Sequence, residues 1–204
     1  MKVLYIHGYG SNANSTTGKT IKDLSTFEVH TITYNPEEPK KAIKSIKDYV
    51  QKNKIDVIIG SSLGGFMTTY CFGKQRIVIN PCLKPSIELP KIGYTGPVDE
   101  YKELENNLKI DNTCYGCFAK GDELLGTKYK KEFEKYFINT CYIPGNHRAS
   151  KEALEVSNLY LEVPYAENIT LTLNYNSEAT GKVNITLKGK KHNLTFKDIT
   201  LNST

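Results

Sequence analysis

The feature that most constrains the fold is a strand-like run that leads directly into two glycines spaced around a serine. The run Asp56–Ile59 is followed by Gly60-Ser-Ser-Leu-Gly64, and a helical pattern comes next. This G-x-S-x-G spacing is typical of a nucleophile elbow, in which a serine occupies a sharp turn between a strand and a helix. The glycines allow the strand and the helix to approach each other closely. Only Ser62 has glycine both two residues before and two residues after it, so the register favours Ser62 over Ser61.

Strand-like and helix-like segments alternate around this turn. The expected strands are Val3–Ile6, Val29–Tyr34, Asp56–Ile59, Arg76–Asn80, Thr113–Ala119 and Asn139–Ile143. The expected helices are Ser15–Leu24, Pro39–Asn53, Leu63–Gly73, Asp99–Leu108, Thr127–Tyr136 and about Lys151–Leu161. The apolar runs are continuous, as in parallel strands that are buried on both faces. The pattern predicts an α/β fold with a mostly parallel sheet of about six strands and helices on both faces.

Two stretches break the alternation. Prolines and glycines punctuate residues 83–112, which we interpret as a cap inserted after a strand. Beyond residue 163, apolar and polar residues alternate strictly, which predicts three or four antiparallel strands with one buried face. The clearest of these runs are Ile169–Tyr175, Val183–Leu187 and Leu194–Phe196, with the pattern continuing over Ile199–Leu201. We therefore divide the chain into a main domain, 1–163, and a β-rich appendage, 164–204. The appendage packs on the main domain, associates with another copy of itself, or belongs to a truncated module.

Length, charge and hydropathy exclude several classes of protein. With 204 residues, the chain is long enough for one α/β domain with a full core and a small appendage. Its net charge of +5 comes from scattered lysines without a dense basic run, so no nucleic-acid partner is expected. No apolar run approaches the ~18 residues of a membrane-spanning helix. The apolar stretch within Met1–Gly8 is too short for a signal peptide, and we expect a cytoplasmic location.

The cysteines indicate thiols in a reducing compartment, because they are scattered and odd in number. They are Cys71, Cys82, Cys114, Cys117 and Cys141. Cys114 and Cys117 have the spacing of a redox or zinc motif, but residues three apart on a strand point to opposite faces. No second cysteine or cysteine–histidine pair completes a zinc site. We interpret these residues as buried thiols and expect neither a metal nor a cofactor.

A serine nucleophile needs a base within hydrogen-bonding distance and an acid that orients this base. In chains with this elbow, the order is serine, acid, histidine. Of the two histidines after Ser62, His147 directly follows a predicted parallel strand, whereas His192 lies in a turn of the appendage. Asp122 follows the fifth strand and is the predicted acid, with Glu123 in reserve. Because open α/β sheets bind ligands at the carboxyl ends of their strands, we predict a catalytic triad of Ser62, Asp122 and His147.

The same motif predicts two backbone donors for an oxyanion. One is the N–H group of Leu63, the residue after the nucleophile, and the other belongs to the loop after the first strand. In that loop, Gly8 allows a close approach of the backbone, and the N–H group of Tyr9 is the predicted second donor. His7 precedes the nucleophile and is expected to brace this loop rather than to act as the base.

The chain resembles the small α/β-hydrolase esterases of the YqiA/YcfP type over residues 1 to about 162. The matching pieces are Tyr5–Asn12, Tyr34–Pro36, Gly60–Gly65, Asn80-Pro81, Gly121-Asp122 and Gly145–Arg148. The resemblance implies a compact α/β-hydrolase fold whose sheet begins at the oxyanion-loop strand, the same triad, and activity on short acyl esters or thioesters. Residues 165–204 have no counterpart there. In composition and spacing they are weakly similar to half of an immunoglobulin-like adhesin repeat.

Three functions follow from these observations. The first is a serine esterase or thioesterase that acts on a small-molecule acyl substrate through an acyl-serine intermediate. The second is a P-loop nucleotide binder, because Ser15–Thr20 ends in Gly-Lys-Thr after the first strand, although Ala13 stands where that motif needs glycine. The third is a non-catalytic binding protein on a hydrolase scaffold, in which the appendage serves display or self-association.

Overall fold

A computed structural model describes residues 1–125, 129–151, 153–154, 181–188 and 193–201. The chain forms two compact units, Met1–Pro164 and Tyr165–Thr204.

The first unit contains a six-stranded sheet in the order β2-β1-β3-β4-β5-β6, and every pair of neighbouring strands is parallel. Its strands are β1 (Lys2–Ile6), β2 (Glu28–Ile32), β3 (Val57–Ser61), β4 (Gln75–Ile79), β5 (Cys114–Ala119) and β6 (Asn139–Ile143). Its helices are α1 (Thr16–Leu24), α2 (Pro39–Lys52), α3 (Leu63–Thr69), α4 (Pro85–Lys91), α5 (Asp99–Asn106) and α6 (Lys130–Tyr136). The predicted parallel sheet with its helices is confirmed.

The sheet is buried on both faces because successive residues of each strand point in opposite directions. In β1, Leu4 and Ile6 belong to one apolar core, whereas Val3 and Tyr5 belong to the other. Helices α2 to α6 contribute to the first core, and α1 and residues 153–154 contribute to the second. The continuous apolar runs of the sequence therefore reflect two cores on either side of one sheet.

The insertion after β4 differs from its sequence prediction. Residues 83–112 contain α4 in addition to the expected α5, and two of the three prolines that suggested an irregular loop lie within α4. Pro85 occupies the first turn, where a missing N–H group costs no hydrogen bond, and Pro90 lies near the end of the helix. Proline therefore begins a helix here rather than preventing one.

Several boundaries also differ from the prediction. α3 ends at Thr69 instead of Gly73, because the N–H groups of Tyr70 and Cys71 turn to carbonyls three residues back. The predicted start of α6 at Thr127 and most of the predicted helix 151–161 lie outside the described residues. None of the described helices is long and apolar enough to cross a membrane.

The second unit contains an antiparallel hairpin of β7 (Gly181–Lys188) and β8 (Asn193–Leu201). The two runs predicted at 194–196 and 199–201 are parts of the single strand β8. The pairing shifts its register between Val183 and Ile185. The strand predicted at 169–175 and the turn with His192 lie outside the described residues.

Candidate active site

The turn between β3 and α3 holds Ser62 in a strained backbone conformation. Its φ of 52° and ψ of −120° are unusual for a residue with a side chain. A Cβ atom on Gly60 would lie 2.2 Å from Oγ1 of Thr68, and one on Gly64 would lie 2.2 Å from the carbonyl oxygen of Ile6. Both positions therefore require glycine, because strand and helix meet here without room for a side chain.

The structure also distinguishes the two neighbouring serines. The hydroxyl of Ser61, the last residue of β3, lies 2.7 Å from the hydroxyl of Tyr5 on β1. Ser62 lies at the apex of the turn, with its Oγ 3.0 Å from Nε2 of His147. The register favoured Ser62 on the basis of glycine spacing alone, and the structure places this residue, not Ser61, next to the histidine.

His147 and Asp122 lie in the loops after β6 and β5. The Nδ1 atom of His147 is 2.9 Å and 3.0 Å from the two carboxylate oxygens of Asp122. When Nδ1 carries the ring proton and donates a hydrogen bond to Asp122, the unprotonated Nε2 can accept a hydrogen bond from the hydroxyl of Ser62. The three side chains thus form a continuous hydrogen-bonded chain, although Ser62 and His147 are 85 residues apart in the sequence.

The carboxylate of Asp122 is buried, with 4% of the residue exposed. Burial alone would raise its pKa, but the hydrogen bond from His147 and the backbone N–H groups of Leu125 and Leu124 outweigh this effect and lower it. The two backbone bonds measure 2.9 Å and 3.0 Å. Asp122 is therefore held as a carboxylate, the form that can orient an imidazole.

Two residues that the sequence analysis gave no such role hold the loop of His147. Asn80 is fully buried, and its Nδ2 donates to the carbonyls of His147 at 2.9 Å and Asn146 at 3.2 Å. Its Oδ1 accepts the N–H group of Ala119 at 2.7 Å, which joins the ends of β4 and β5 to this loop. Glu123, predicted only as a reserve acid, accepts the backbone N–H group of His147 at 2.9 Å.

Asn80 has a left-handed backbone with a φ of 45°, a conformation that asparagine tolerates better than most residues. This could not be predicted from its position before Pro81, because a residue that precedes proline is expected to be extended. Its partners, at residues 119, 146 and 147, could not be found from local sequence.

Two of the predicted oxyanion residues, Gly8 and Leu63, lie next to the nucleophile. A Cβ atom on Gly8 would lie 3.1 Å from Cβ of Ser62, so the loop after β1 passes directly beside it. The N–H group of Leu63, at the first position of α3, and that of Tyr9 have no acceptor among the described residues. Backbone donors at the start of a helix and in such a loop are available to an anion.

His7 braces the same loop, as the sequence analysis expected. Its Nδ1 lies 2.8 Å from the carbonyl oxygen of Gly8, and its ring stacks on Tyr34 with 4.8 Å between ring centroids. The hydroxyl of Tyr34 donates to the carbonyl oxygen of His7 at 2.9 Å. Burial lowers the pKa of His7, so the ring is neutral near pH 7.

The segment considered as a P-loop has another structural role. Ser15 caps α1 by accepting the N–H group of Gly18, and Gly18 lies inside the helix rather than in a phosphate-binding loop. A Cβ atom on Gly18 would lie 3.1 Å from the ring of Tyr5, so close packing explains the glycine. Within the described part of the chain, no group of three or more histidine, cysteine or acidic residues is arranged to hold a metal ion.

Comparisons with known proteins agree with this architecture. A family model described as an uncharacterised protein family, UPF0227, matches residues 2–150 and confirms the resemblance to the small hydrolases. None of the proteins with curated descriptions matches the sequence significantly. Nothing in these comparisons supports the similarity of the appendage to an immunoglobulin-like repeat.

Solved structures share the fold at low sequence identity. Est1E from Butyrivibrio proteoclasticus aligns with a TM-score of 0.57 and 15% identity over 79% of this chain and 87% of its own. Mouse α/β hydrolase domain-containing protein 10 aligns with a TM-score of 0.56 and 15% identity over 79% and 88%. MGS-MChE2, an α/β hydrolase from a lagoon-sediment metagenome, aligns with a TM-score of 0.54 and 15% identity over 81% of this chain and 90% of its own. The chain belongs to the uncharacterised protein family UPF0227 and has the α/β-hydrolase fold.

Proposed function

We propose that this protein is a serine hydrolase that cleaves carboxylic esters or thioesters of small acyl groups through an acyl-Ser62 intermediate. The observation that carries the proposal is the chain of hydrogen bonds from Ser62 through His147 to Asp122, with contacts of 3.0 Å and 2.9 Å. Residues that serve only to stabilise the fold have no need of a strained serine with a base at its hydroxyl.

In the first step, Nε2 of His147 takes the hydroxyl proton as Oγ of Ser62 attacks the acyl carbonyl carbon. Asp122 keeps the other ring proton on Nδ1 and stabilises the imidazolium that forms. The negative charge on the former carbonyl oxygen is stabilised by the N–H groups of Leu63 and Tyr9. One such donor contributes roughly 3 kcal/mol to the transition state.

In the second step, the tetrahedral intermediate collapses and the alcohol or thiol departs with the proton held by His147. His147 then removes a proton from water, which attacks the acyl-enzyme and releases the carboxylic acid. The same base therefore acts twice, and no cofactor is needed for either half of the reaction.

The cap contributes to the surroundings of the oxyanion loop. The ring of Tyr9 packs edge-on against Tyr94 of the cap, with 5.6 Å between centroids. Tyr101 of the cap donates a 2.6 Å hydrogen bond to the carbonyl oxygen of Pro36 and packs on Tyr94. Tyr94 and Tyr101 are buried, so this packing fixes the position of the loop that carries the N–H group of Tyr9. A structure of Est1E is described with bound ferulic acid. The binding of a small carboxylic acid by a protein with this fold supports the proposal of a small acyl substrate.

A panel of p-nitrophenyl esters and acyl-CoA thioesters, assayed with wild type and Ser62→Ala, tests the proposal. We expect hydrolysis by wild type and a loss of roughly 10⁶-fold in kcat for the variant. Ser61→Ala is the matched control, because it removes the neighbouring hydroxyl and leaves the nucleophile. A fluorophosphonate probe should label wild type and Ser61→Ala but not Ser62→Ala.

The proposal is wrong if Ser62→Ala retains hydrolysis, or if the probe labels neither protein while both are folded. ATP-dependent protection against thermal unfolding would instead support the nucleotide binder. Binding of small molecules without turnover would support the scaffold. The cytoplasmic location and the self-association of residues 164–204 stay predictions, to be tested by fractionation and by the oligomeric state of a chain truncated after residue 163.

A further inference from the structure

Strands β5 and β6 carry two cysteines at the same register, Cys117 and Cys141. Their Sγ atoms are 3.1 Å apart, and both residues are thiols. We propose that Cys117 and Cys141 form a dithiol site that small disulfides of the glutathione class oxidise to an intramolecular disulfide. This site is separate from the hydrolytic residues, and its test does not depend on the proposed reaction.

The backbone geometry allows the bond. Paired residues on neighbouring parallel strands project from the same face of the sheet, and the strands are about 4.8 Å apart. Disulfides join Cα atoms that are roughly 4.4–6.8 Å apart, so Cys117 and Cys141 fall within the permitted range. Each sulfur needs to move by only about half an ångström to reach a bond length of about 2.05 Å.

Exposure distinguishes the two thiols. Cys117 is fully buried, whereas Cys141 is partly exposed on β6, the last strand of the sheet order. An oxidant therefore reaches Cys141 first, and Cys117 lies directly behind it to complete the bond. Burial raises the pKa of the remaining three thiols, to about 11 for Cys71 and about 12 for Cys82 and Cys114, which disfavours their reaction.

The reaction proceeds by two exchanges. The thiolate of Cys141 attacks one sulfur of the small disulfide, forms a mixed disulfide and releases one thiolate. The thiolate of Cys117 then attacks Sγ of Cys141, forms the intramolecular bond and releases the second thiolate. The two protein thiols lose two electrons and two protons in total, and the small disulfide is reduced to two thiols.

The resulting bond should be easily reduced. Cys141 is partly exposed, and exposed disulfides have higher reduction potentials and are the labile ones. The link would also tie together the strands that lead to Asp122 and His147. We infer a reversible modification rather than a permanent structural bond.

The experiment treats the native protein with oxidised glutathione, blocks remaining thiols and digests with trypsin. Cleavage yields peptides 110–120, with Cys114 and Cys117, and 136–148, with Cys141. We expect a linked peptide whose mass is lower by two hydrogens than the sum of the two, and fragmentation that assigns the bond to Cys117. Dithiothreitol should abolish it.

Cys114→Ser is the matched control, because Cys114 lies in the same peptide but in the core on the opposite face of the sheet. It should retain the link, whereas Cys141→Ser should reduce it at least tenfold. If a variant does not fold, native wild type can be compared with denatured wild type. The denatured protein should form links to Cys114 as readily as to Cys117. A mixed disulfide at Cys141 that never resolves, or a link to Cys114, would overturn the proposal.

Discussion

Ser62 and His147 meet at one hydrogen bond, but the protein holds them in different ways. Ser62 is positioned by backbone geometry, whereas the loop of His147 is positioned by side chains from other elements. The glycine pattern that marks the first arrangement lies within five residues, whereas the side chains that hold the second come from residues far away in the sequence. This difference determines which parts of the site tolerate substitution and which parts can be predicted from sequence.

The elbow has a local sequence pattern, but its contacts reach β1 and the chain around β4. The Ser62 N–H group donates to Ile79 and its carbonyl accepts from Cys82, both on the chain around β4, with contacts of 3.0 Å. Most of the constraint comes from the absence of side chains at Gly60 and Gly64. The hydrogen bonds of Ser62 would allow residues other than glycine at positions 60 and 64, but the close contacts with backbone atoms at these positions do not.

The loop of His147 meets a steric constraint only where a Cβ atom on Gly121 would lie 2.7 Å from the carbonyl oxygen of Gly145, and side chains hold the histidine itself. Asp122 orients its ring, Glu123 binds its N–H group, and Asn80 binds its carbonyl. Removing one of these contacts leaves the others in place. We therefore expect graded losses of activity in this loop, in contrast to an all-or-none loss of structure at the elbow.

Among substitutions around the histidine, the largest effect should follow from Asp122→Asn. The amide Nδ2 would donate to Nδ1 of His147 and move the ring proton to Nε2, which can then no longer accept the hydroxyl of Ser62. We expect kcat for ester hydrolysis to fall by about 10⁴-fold with an unchanged fold. The backbone donors of Leu124 and Leu125 keep an acceptor in the variant, so circular dichroism should match wild type. A loss below tenfold would contradict the orienting role.

The same variant tests the low pKa of Asp122. Because this pKa is lower in the folded protein than in the unfolded chain, the carboxylate stabilises the fold above the unfolded value of about 3.9. That stabilisation is lost as the pH falls through the folded pKa. Between about pH 6 and pH 3, urea unfolding should show a larger loss of free energy for wild type than for Asp122→Asn. If wild type and Asp122→Asn lose equal free energies of unfolding over this pH range, the pKa of Asp122 is not lowered in the folded protein.

Gly64→Ala should disrupt the elbow itself. The new Cβ atom would lie 2.2 Å and 2.4 Å from the carbonyl oxygens of Ile6 and His7, which are backbone atoms at the end of β1 and cannot move aside. We expect the free energy of unfolding to fall by at least about 4 kcal/mol, or the protein not to fold. Gly10→Ala is the control, because this glycine has open space around it and only a positive φ of 70°. It should lose about 1 kcal/mol.

These two arrangements also explain what the sequence could predict. Ser62 was predicted from five neighbouring residues, since strand, turn and helix are adjacent in the sequence. His147 and Asp122 were predicted because parallel strands end at one edge of the sheet, although their distances required the structure. Asn80 and Glu123 escaped this reasoning because their partners lie on other loops. The helix α4 was missed because a proline at a first turn resembles a helix breaker.

Asn80→Asp tests the side-chain support of the histidine loop. The substitution keeps an acceptor for Ala119 and suits the left-handed backbone, but it removes both donors and places a carboxylate near two carbonyl oxygens. We expect kcat to fall by about 10- to 100-fold through misplacement of His147, with a smaller change in KM. Stability should fall by about 3 kcal/mol.

Arg76→Met is the matched control for Asn80→Asp. Arg76 is also fully buried on β4, but it lies at the other end of the strand, where Nη1 donates to the carbonyl of Thr69 at 2.6 Å. Its loss should lower stability by a similar amount and leave kcat within about twofold. If both variants reduce kcat equally, the effect of Asn80 reflects general destabilisation, and the specific support of His147 is refuted.

The smallest effect should come from Glu123, which is exposed and accepts the backbone N–H group of His147. A single exposed hydrogen bond contributes about 0.5–1.5 kcal/mol, and Asn80 continues to hold the carbonyl of His147. Glu123→Gln keeps an amide oxygen as acceptor, so kcat should change by less than about twofold, whereas Glu123→Ala should lower it by at most about fivefold. Single-turnover kinetics with a p-nitrophenyl ester can resolve this difference. If Glu123→Ala costs as much as Asn80→Asp, the histidine loop depends on every contact in the way that the elbow depends on its glycines. The contrast between the two halves of the site would then disappear.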